Sequence, residues 1–239
     1  ALVIASGKKN SFIAGADIGD LNQVDSAKEG ARLSHEGQVA MDRITNFGVP
    51  TVAAIHGDCL GGGLELAVAC TARVASDSNK TKLALPEVML GLLPGAGGTI
   101  RLPALIGLAN ALDMMLTGKN IRPSKALKIG LVDRVVPNSQ LLDAAHDLAR
   151  DLADGKRPEA AKQPIHSEVQ DLILERNALG RRVVLHEARK KVMAQTKGLM
   201  PAPLKILDVV AEGNHKAESD GFGVLLMTAE SRALRRVFR

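Results

Sequence analysis

The sequence predicts an α/β fold that gives way to a C-terminal helical extension, and three observations predict it. Short aliphatic runs such as Leu2-Val3-Ile4 and Thr51-Val52-Ala53-Ala54-Ile55 alternate with stretches of helical periodicity as far as Val135-Val136-Pro137. From Gln140 onward the pattern is helical. Between the two regimes, Asp154-Gly155-Lys156-Arg157-Pro158 is polar and rich in helix breakers. The expected division is therefore a core of residues 1–155 and a helical extension of residues 156–239.

Each element follows from its residues. Residues 1–5 read as a buried strand. A buried strand needs neighbours on both sides, and this one opens a chain that starts with Ala rather than Met. The sequence is accordingly expected to be a fragment that lacks strands before Ala1. Residues 6–11 read as a loop, and Phe12-Ile13-Ala14-Gly15-Ala16-Asp17 as small residues leading into a polar stretch. Leu33, Val39, Ala40, Ile44 and Phe47 recur at helical spacing, and Gly48 and Pro50 end that helix. Residues 51–55 form a second buried strand, stopped by His56-Gly57. The turn Gly61-Gly62-Gly63 opens an apolar helix from Leu64 to Thr71, and residues 73–76 and 82–85 read as further strands. A glycine-rich loop over residues 91–98 leads into a helix from Thr99. The later helices are broken at Pro158, Pro164, Gly198-Leu199-Met200-Pro201 and Pro203.

Composition excludes several function classes. Aromatic residues are 2% of the 239, with neither Trp nor Tyr, so base-stacking platforms for single-stranded nucleic acid are not expected. Two cysteines, Cys59 and Cys70, make no disulfide framework and read as small buried fillers in a reducing compartment. No Cys/His cluster has metal-ligand spacing, so no metal site is expected. No apolar run approaches the ~18 residues of a membrane span, and no leader peptide is evident. The net charge of +5 is spread along the chain, with modest clusters at Arg189-Lys190-Lys191 and Arg235-Arg236. It favours a phosphorylated small molecule over nucleic acid.

Three segments carry chemistry. Gly61-Gly62-Gly63-Leu64-Glu65 places a carboxylate in the first turn of a helix whose N-terminal amides can receive a developing oxyanion. The small residues around Ala14-Gly15-Ala16 allow close approach of backbone to ligand. Pro86-Glu87 sets a carboxylate in an apolar run, where low polarity raises its proton affinity towards neutral pH. The loop Gly95-Ala96-Gly97-Gly98-Thr99-Ile100 is not a dinucleotide fingerprint, because Ile100 stands where the third Gly belongs. His56 reads as a turn residue, Arg101 as a local anchor of its helix, and Leu172, Ile173, Leu179, Val183 and Val184 as the apolar face of an extension helix.

In this order, the segments Ala14-Gly15-Ala16-Asp17, Gly61-Gly62-Gly63-Leu64-Glu65, Pro86-Glu87 and Pro94-Gly95-Ala96-Gly97-Gly98-Thr99 resemble the crotonase (enoyl-CoA hydratase/isomerase) superfamily. Leu116-Thr117-Gly118 and Ala126-Leu127-Lys128-Ile129-Gly130-Leu131-Val132 resemble its later segment. The resemblance covers about residues 1–140. Ile55-His56-Gly57-Asp58-Cys59-Leu60, residues 85–94 and the tail from Leu204 to Phe238 are most similar to the hydratase part of the multifunctional fatty-acid oxidation α-subunit family.

The resemblance implies a crotonase-like ββα spiral core and the hydration of 2-enoyl-CoA in β-oxidation. It implies Glu65 and Glu87 as the acid/base pair, and the backbone amides of Ala16 and Gly62 as the oxyanion hole. It further implies CoA along Ala14 to Ile18, with Lys8 and Lys9 near its phosphates. No cofactor beyond the substrate's own CoA is expected, and NAD belongs to a dehydrogenase part that this chain lacks. An acyl-CoA substrate, a thiolase β subunit as partner and a bacterial cytoplasm follow from the same likeness, with a mitochondrial or peroxisomal location as the alternative. The alternative activities are Δ3-Δ2 enoyl-CoA isomerisation at the same site, RNA binding as in some relatives, and a truncated or scaffold-like subunit that keeps the site but needs a partner.

Overall fold

The computed structural model describes residues 1–156 and 178–237. These residues fold as two compact units. One comprises residues 1–15, 40–84 and 120–156, and the other residues 16–39, 85–119 and 178–237.

All seven strands among the described residues belong to the first unit: β1 (Leu2–Ala5), β2 (Ser11–Ile13), β3 (Thr51–Ile55), β4 (Asp58–Leu60), β5 (Ala72–Ser76), β6 (Lys82–Ala84) and β7 (Arg134–Val136). They form two parallel sheets, ordered β1-β3-β5-β7 and β2-β4-β6. In three successive turns (β1-β2, β3-β4 and β5-β6) a strand of the first sheet is followed by one of the second, and after β4 comes helix α3 (Gly62–Ala69). That recurring β-β-α step is the spiral the resemblance implies. Its strands are short because each must turn into the next sheet within a few residues.

The turns are tight. At Gly57 (φ 63°) a Cβ would lie 2.0 Å from the Asn10 carbonyl oxygen, so only glycine fits between successive turns. Its N–H donates to Thr81 Oγ1 (3.1 Å), which itself pairs with Ser76 Oγ (2.6 Å), so buried polar groups at the corner satisfy one another. Helix α7 (Leu141–Ala153) covers one face of the four-stranded sheet, packing Leu141, Ala145, Leu148 and Ala149 on Val52, Ala54, Ala72 and Val74.

The structure departs from the sequence-based expectations at several places. β1 is an edge strand, and Leu2 is 38% exposed rather than buried. β2 and β4 are strands that three-residue length hides from periodicity, and Pro86–Leu90 winds as a 3-10 turn.

The second unit is helical. It holds α1 (Ile18–Leu21), the first part of α2 (Ala27–Thr45), α4 (Gly98–Ile106), α5 (Leu108–Thr117), α8 (Ala178–Thr196), α9 (Pro201–Glu212), α10 (His215–Leu226) and α11 (Ala229–Val237). α6 (Pro123–Lys128) lies in the first unit. Leu102, Ile106, Leu112, Met115, Ile206, Leu207 and Leu226 are buried. The expected apolar face of α8 is not covered: Leu179 is 72% and Val183 49% exposed, Val184 is half-buried, and Leu172 and Ile173 lie outside the described residues. Both basic clusters are partly spent within the fold. Arg189 pairs with Asp208, and Arg235 is buried, donating to the carbonyls of Leu21 (2.8 Å), Leu226 (2.9 Å) and Ser231 (3.3 Å). No helix among the described residues is long and apolar enough to cross a membrane.

Arg73 is a buried cation of the first unit. Its guanidinium donates to the carbonyls of Leu131 (3.0 Å), Cys70 (2.8 Å) and Ala67 (3.4 Å) and contacts Asp133 Oδ2 at 3.3 Å. Replacing it removes a charged donor from all four groups, although the Ala67 carbonyl keeps the Cys70 N–H (3.2 Å) and Asp133 Oδ2 keeps the residue-73 backbone N–H (2.7 Å). Arg73→Met is expected to lower the unfolding free energy by about 3 kcal/mol in urea titrations, whereas a loss below about 1 kcal/mol contradicts this role.

Candidate active site

In the first unit, α3 starts where Gly61-Gly62-Gly63 allows two strands and a helix to meet closely. A Cβ at Gly63 would fall 2.2 Å from the Ile13 carbonyl oxygen, so this position admits no side chain. Gly62 is different: a Cβ there would meet only Glu65 Oε2, at 4.0 Å. The backbone of Gly62 thus borders open space shared with the Glu65 carboxyl. As a first-turn amide, Gly62 N–H has no acceptor inside its helix. Glu65 itself is buried at 4% exposure, one turn into the helix. Together they present an N–H donor at a helix N-terminus beside a buried carboxyl, a setting for a developing oxyanion and a proton acceptor. Gly15 approaches the same turn, its missing Cβ lying 3.2 Å from the Leu60 carbonyl oxygen and 3.8 Å from Gly62 N.

The remaining first-unit residues expected to meet CoA are on the surface. Ala14, Lys8 and Lys9 are exposed. Lys8 is fixed through its backbone, its N–H reaching Ser6 Oγ (3.2 Å) and its carbonyl accepting from His56 Nε2 (2.6 Å). That contact makes His56 a turn residue, as its position implied. Cys59 and Cys70 are both buried, and burial pushes both thiols up.

The second unit carries Ala16, Ile18 and Glu87. Ala16 is exposed, and its N–H meets no acceptor among the described residues. Ile18 opens α1, half-buried, after Asp17 caps the helix by accepting from Gly19 N–H at 2.6 Å. Glu87 sits in the 3-10 turn behind Pro86. The residue keeps part of its surface open, yet Oε2 is buried without a hydrogen-bond partner. Burial is the main cause that pushes its carboxyl up to about 7, and the nearby Glu218 charge acts in the same direction.

Glu218 is a residue that sequence reasoning missed. It lies in the first turn of α10, behind the capping Asn214, where an acidic residue ordinarily serves the helix dipole at the surface. Here it is fully buried, and no motif marks it. Arg101 donates to the Ala96 carbonyl (3.0 Å), the local anchoring expected of it. Among the described residues no group of His, Cys, Asp and Glu is placed to hold a metal ion.

The family model described as enoyl-CoA hydratase/isomerase matches residues 1–200. The fatty acid oxidation complex subunit alpha of Shewanella amazonensis is 50% identical over 244 aligned positions, covering 99% of this chain and 34% of the relative. That of Shewanella putrefaciens is likewise 50% identical over the same shares. The chain thus spans about a third of the length of the curated relatives it matches. Among solved structures, an enoyl-CoA hydratase from Geobacillus kaustophilus is 31% identical with a TM-score of 0.61, covering 81% of this chain and 76% of its own. An enoyl-CoA hydratase from Bacillus anthracis is 27% identical with a TM-score of 0.59, covering 89% and 72%.

The raised Glu87 carboxyl has a consequence for stability. The folded chain retains a proton that the unfolded chain releases at ordinary carboxylate pH. Glu87 therefore weighs nothing against folding at low pH, and stability falls as pH rises from the usual carboxylate range to about 7. The loss reaches up to about 3 kcal/mol. Urea unfolding from pH 4 to 8 is expected to show this decline in the parent and a flatter profile in Glu87→Gln; identical profiles contradict it.

Proposed function

The chain belongs to the enoyl-CoA hydratase/isomerase family, and from that premise we propose that it adds water to 2-enoyl thioesters of CoA in fatty-acid β-oxidation. The observation that carries this reading is Glu87, a partly buried carboxyl whose ionisation lies near neutral pH at a position the family uses for proton transfer. The Gly62 amide beside the Glu65 carboxyl supports it from the other unit.

In the proposed reaction, the amides of Ala16 and Gly62 receive the thioester oxygen and make C3 electrophilic. Glu65 takes a proton from water as its oxygen bonds to C3. The displaced π electrons form an enolate, held by the two amides, and the acid form of Glu87 delivers a proton to C2. Return of the proton from Glu65 to Glu87 through solvent restores the pair, so that over the cycle one water is consumed, one C–O and one C–H bond form, and no electrons leave the system. Losing one of two such donors costs on the order of 3 kcal/mol in the barrier. A carboxyl ionising near 7 keeps its acid form populated at neutral pH, as the C2 step requires.

CoA is proposed to run along Ala14 to Ile18, with Lys8 and Lys9 near its phosphates, their exposure leaving both ammonium groups accessible. No cofactor is proposed, since CoA arrives on the substrate. Residues 1–155 are proposed as the hydratase core and residues 156–239 as a segment towards the further part present in longer relatives. An assembly with a thiolase β subunit and a bacterial cytoplasmic location extend the same likeness. Isomerisation of 3-enoyl thioesters is the alternative use of Glu87.

The test is the decay of the conjugated enoyl absorbance with a 2-enoyl-CoA substrate. Glu65→Gln and Glu87→Gln are each expected to lower kcat by about 10²- to 10⁴-fold. Undiminished hydration by either variant overturns the assignment.

A further inference from the structure

Glu218 is a buried acid that the proposed reaction does not use. Its side chain is completely buried, and an ionisable group is costly there unless its polar atoms are matched. They are. Oε1 accepts from Gly97 N–H (2.6 Å) and Gln38 Nε2–H (2.9 Å), while Oε2 accepts from Thr99 N–H (3.0 Å) and Thr99 Oγ–H (2.5 Å). All four partners are donors, the set that a carboxylate accepts. Three of them lie at the start of α4, where the helix dipole also favours an anion.

The chain from Glu87 to this point is fastened throughout. Ser231 Oγ–H donates to the Leu90 carbonyl (2.9 Å), and Ser34 Oγ–H donates to the Gly95 carbonyl (2.5 Å). The Phe222 ring fills the space a Cβ on Gly95 would need, at 2.8 Å. Glu218 is the charged member of this set. We propose that Glu218 is a positioning residue for Glu87, its carboxylate holding the start of α4 and thereby the 86–99 stretch that presents Glu87. This rests on the reading of Glu87 as the group that protonates C2.

The electrostatics agree with the geometry. The Glu218 charge raises the proton affinity of Glu87 in the same sense as burial does. Other charged groups on the elements packed against the Glu87 turn are engaged or exposed. On α5, Asp113 pairs with Lys119 at the surface. On α11, Arg235 is committed to carbonyls, and Glu230, Arg232 and Arg236 are exposed.

The experiment compares the intact protein with Glu218→Gln, Thr99→Ala and Thr99→Ser, following hydration of a 2-enoyl-CoA from pH 5 to 9. Glu218→Gln is expected to lower kcat about tenfold with KM within about twofold, and to move the alkaline limb of kcat down by about half a pH unit. The direction follows because Glu87 loses the charge that favours its acid form. Thr99→Ala is expected to lower kcat by about threefold, and Thr99→Ser, which keeps the hydroxyl, to recover most of that loss. This pair decides the matter if Glu218→Gln does not fold. A parent-like kcat and an unmoved pH profile in Glu218→Gln, or equal activities in the two Thr99 variants, overturn the proposal. Should the parent show no hydration at all, the functional reading fails instead. The pH at which the Glu87-linked loss of stability levels off, set by its folded-state ionisation, then decides positioning, moving down in Glu218→Gln if the proposal holds and staying fixed if it does not.

Discussion

The Glu218 carboxylate is the point on which the helical unit converges. It comes from α10, takes donors from the start of α4 and from Gln38 of α2, and does so with no exposure to solvent. A charge in that position leaves little freedom to its surroundings, because loss of any donor exposes it to the full cost of burial. Gly97 and Thr99 must face it, and the stretch before them must reach Gly97 through the left-handed turn at Gly91 and the Phe222 contact at Gly95. The Glu87 carboxyl sits on that stretch. Its surroundings are apolar because Val88, Leu92 and Leu93 are buried beside it in sequence, and they are negative because Glu218 is near.

The sheet-bearing unit solves a different problem with similar means. Parallel strands of three to five residues stack in turns, so each corner brings backbone against backbone. Glycine at Gly57 and Gly63 makes the approach sterically feasible, and hydroxyls at Ser76 and Thr81 satisfy the polar groups it buries. The amide of Gly62 and the carboxyl of Glu65 are by-products of that geometry: a helix has to start directly after a strand, and its first turn has amides without internal acceptors. Arg73, bonded to three carbonyls and Asp133, ties the end of that helix to the later chain.

Much of this is legible in the sequence. The longer strands, the helix after the glycine turn and the sheltered settings of Glu65 and Glu87 are readable because local spacing, glycine placement and apolar neighbours determine them. The three-residue strands β2 and β4 are not, being too short to show an alternating pattern, although β6 of the same length is read from its apolar run. Apolar composition overstates the burial of β1, because it does not reveal that a strand lies at a sheet edge. Glu218 carries no signal in the sequence and Arg235 reads only as part of a basic cluster, yet tertiary packing buries both. Leu179 and Val183 err in the opposite direction: apolar residues at helical spacing, yet exposed.

The proposed chemistry depends above all on one carboxyl. Enolate formation needs donors at the thioester oxygen, but a hydration that ends at C2 also needs an acid that still holds its proton near neutral pH. Burial and a neighbouring negative charge push the Glu87 carboxyl up to about 7, and on that ground the proposal assigns it this step. The most direct measurement is infrared titration of the protonated carboxyl band in the intact protein, with Glu87 assigned by the band lost in Glu87→Gln. A band that persists to about pH 7 is the predicted result, and one that vanishes at the ordinary glutamate value of about 4.3 contradicts the account.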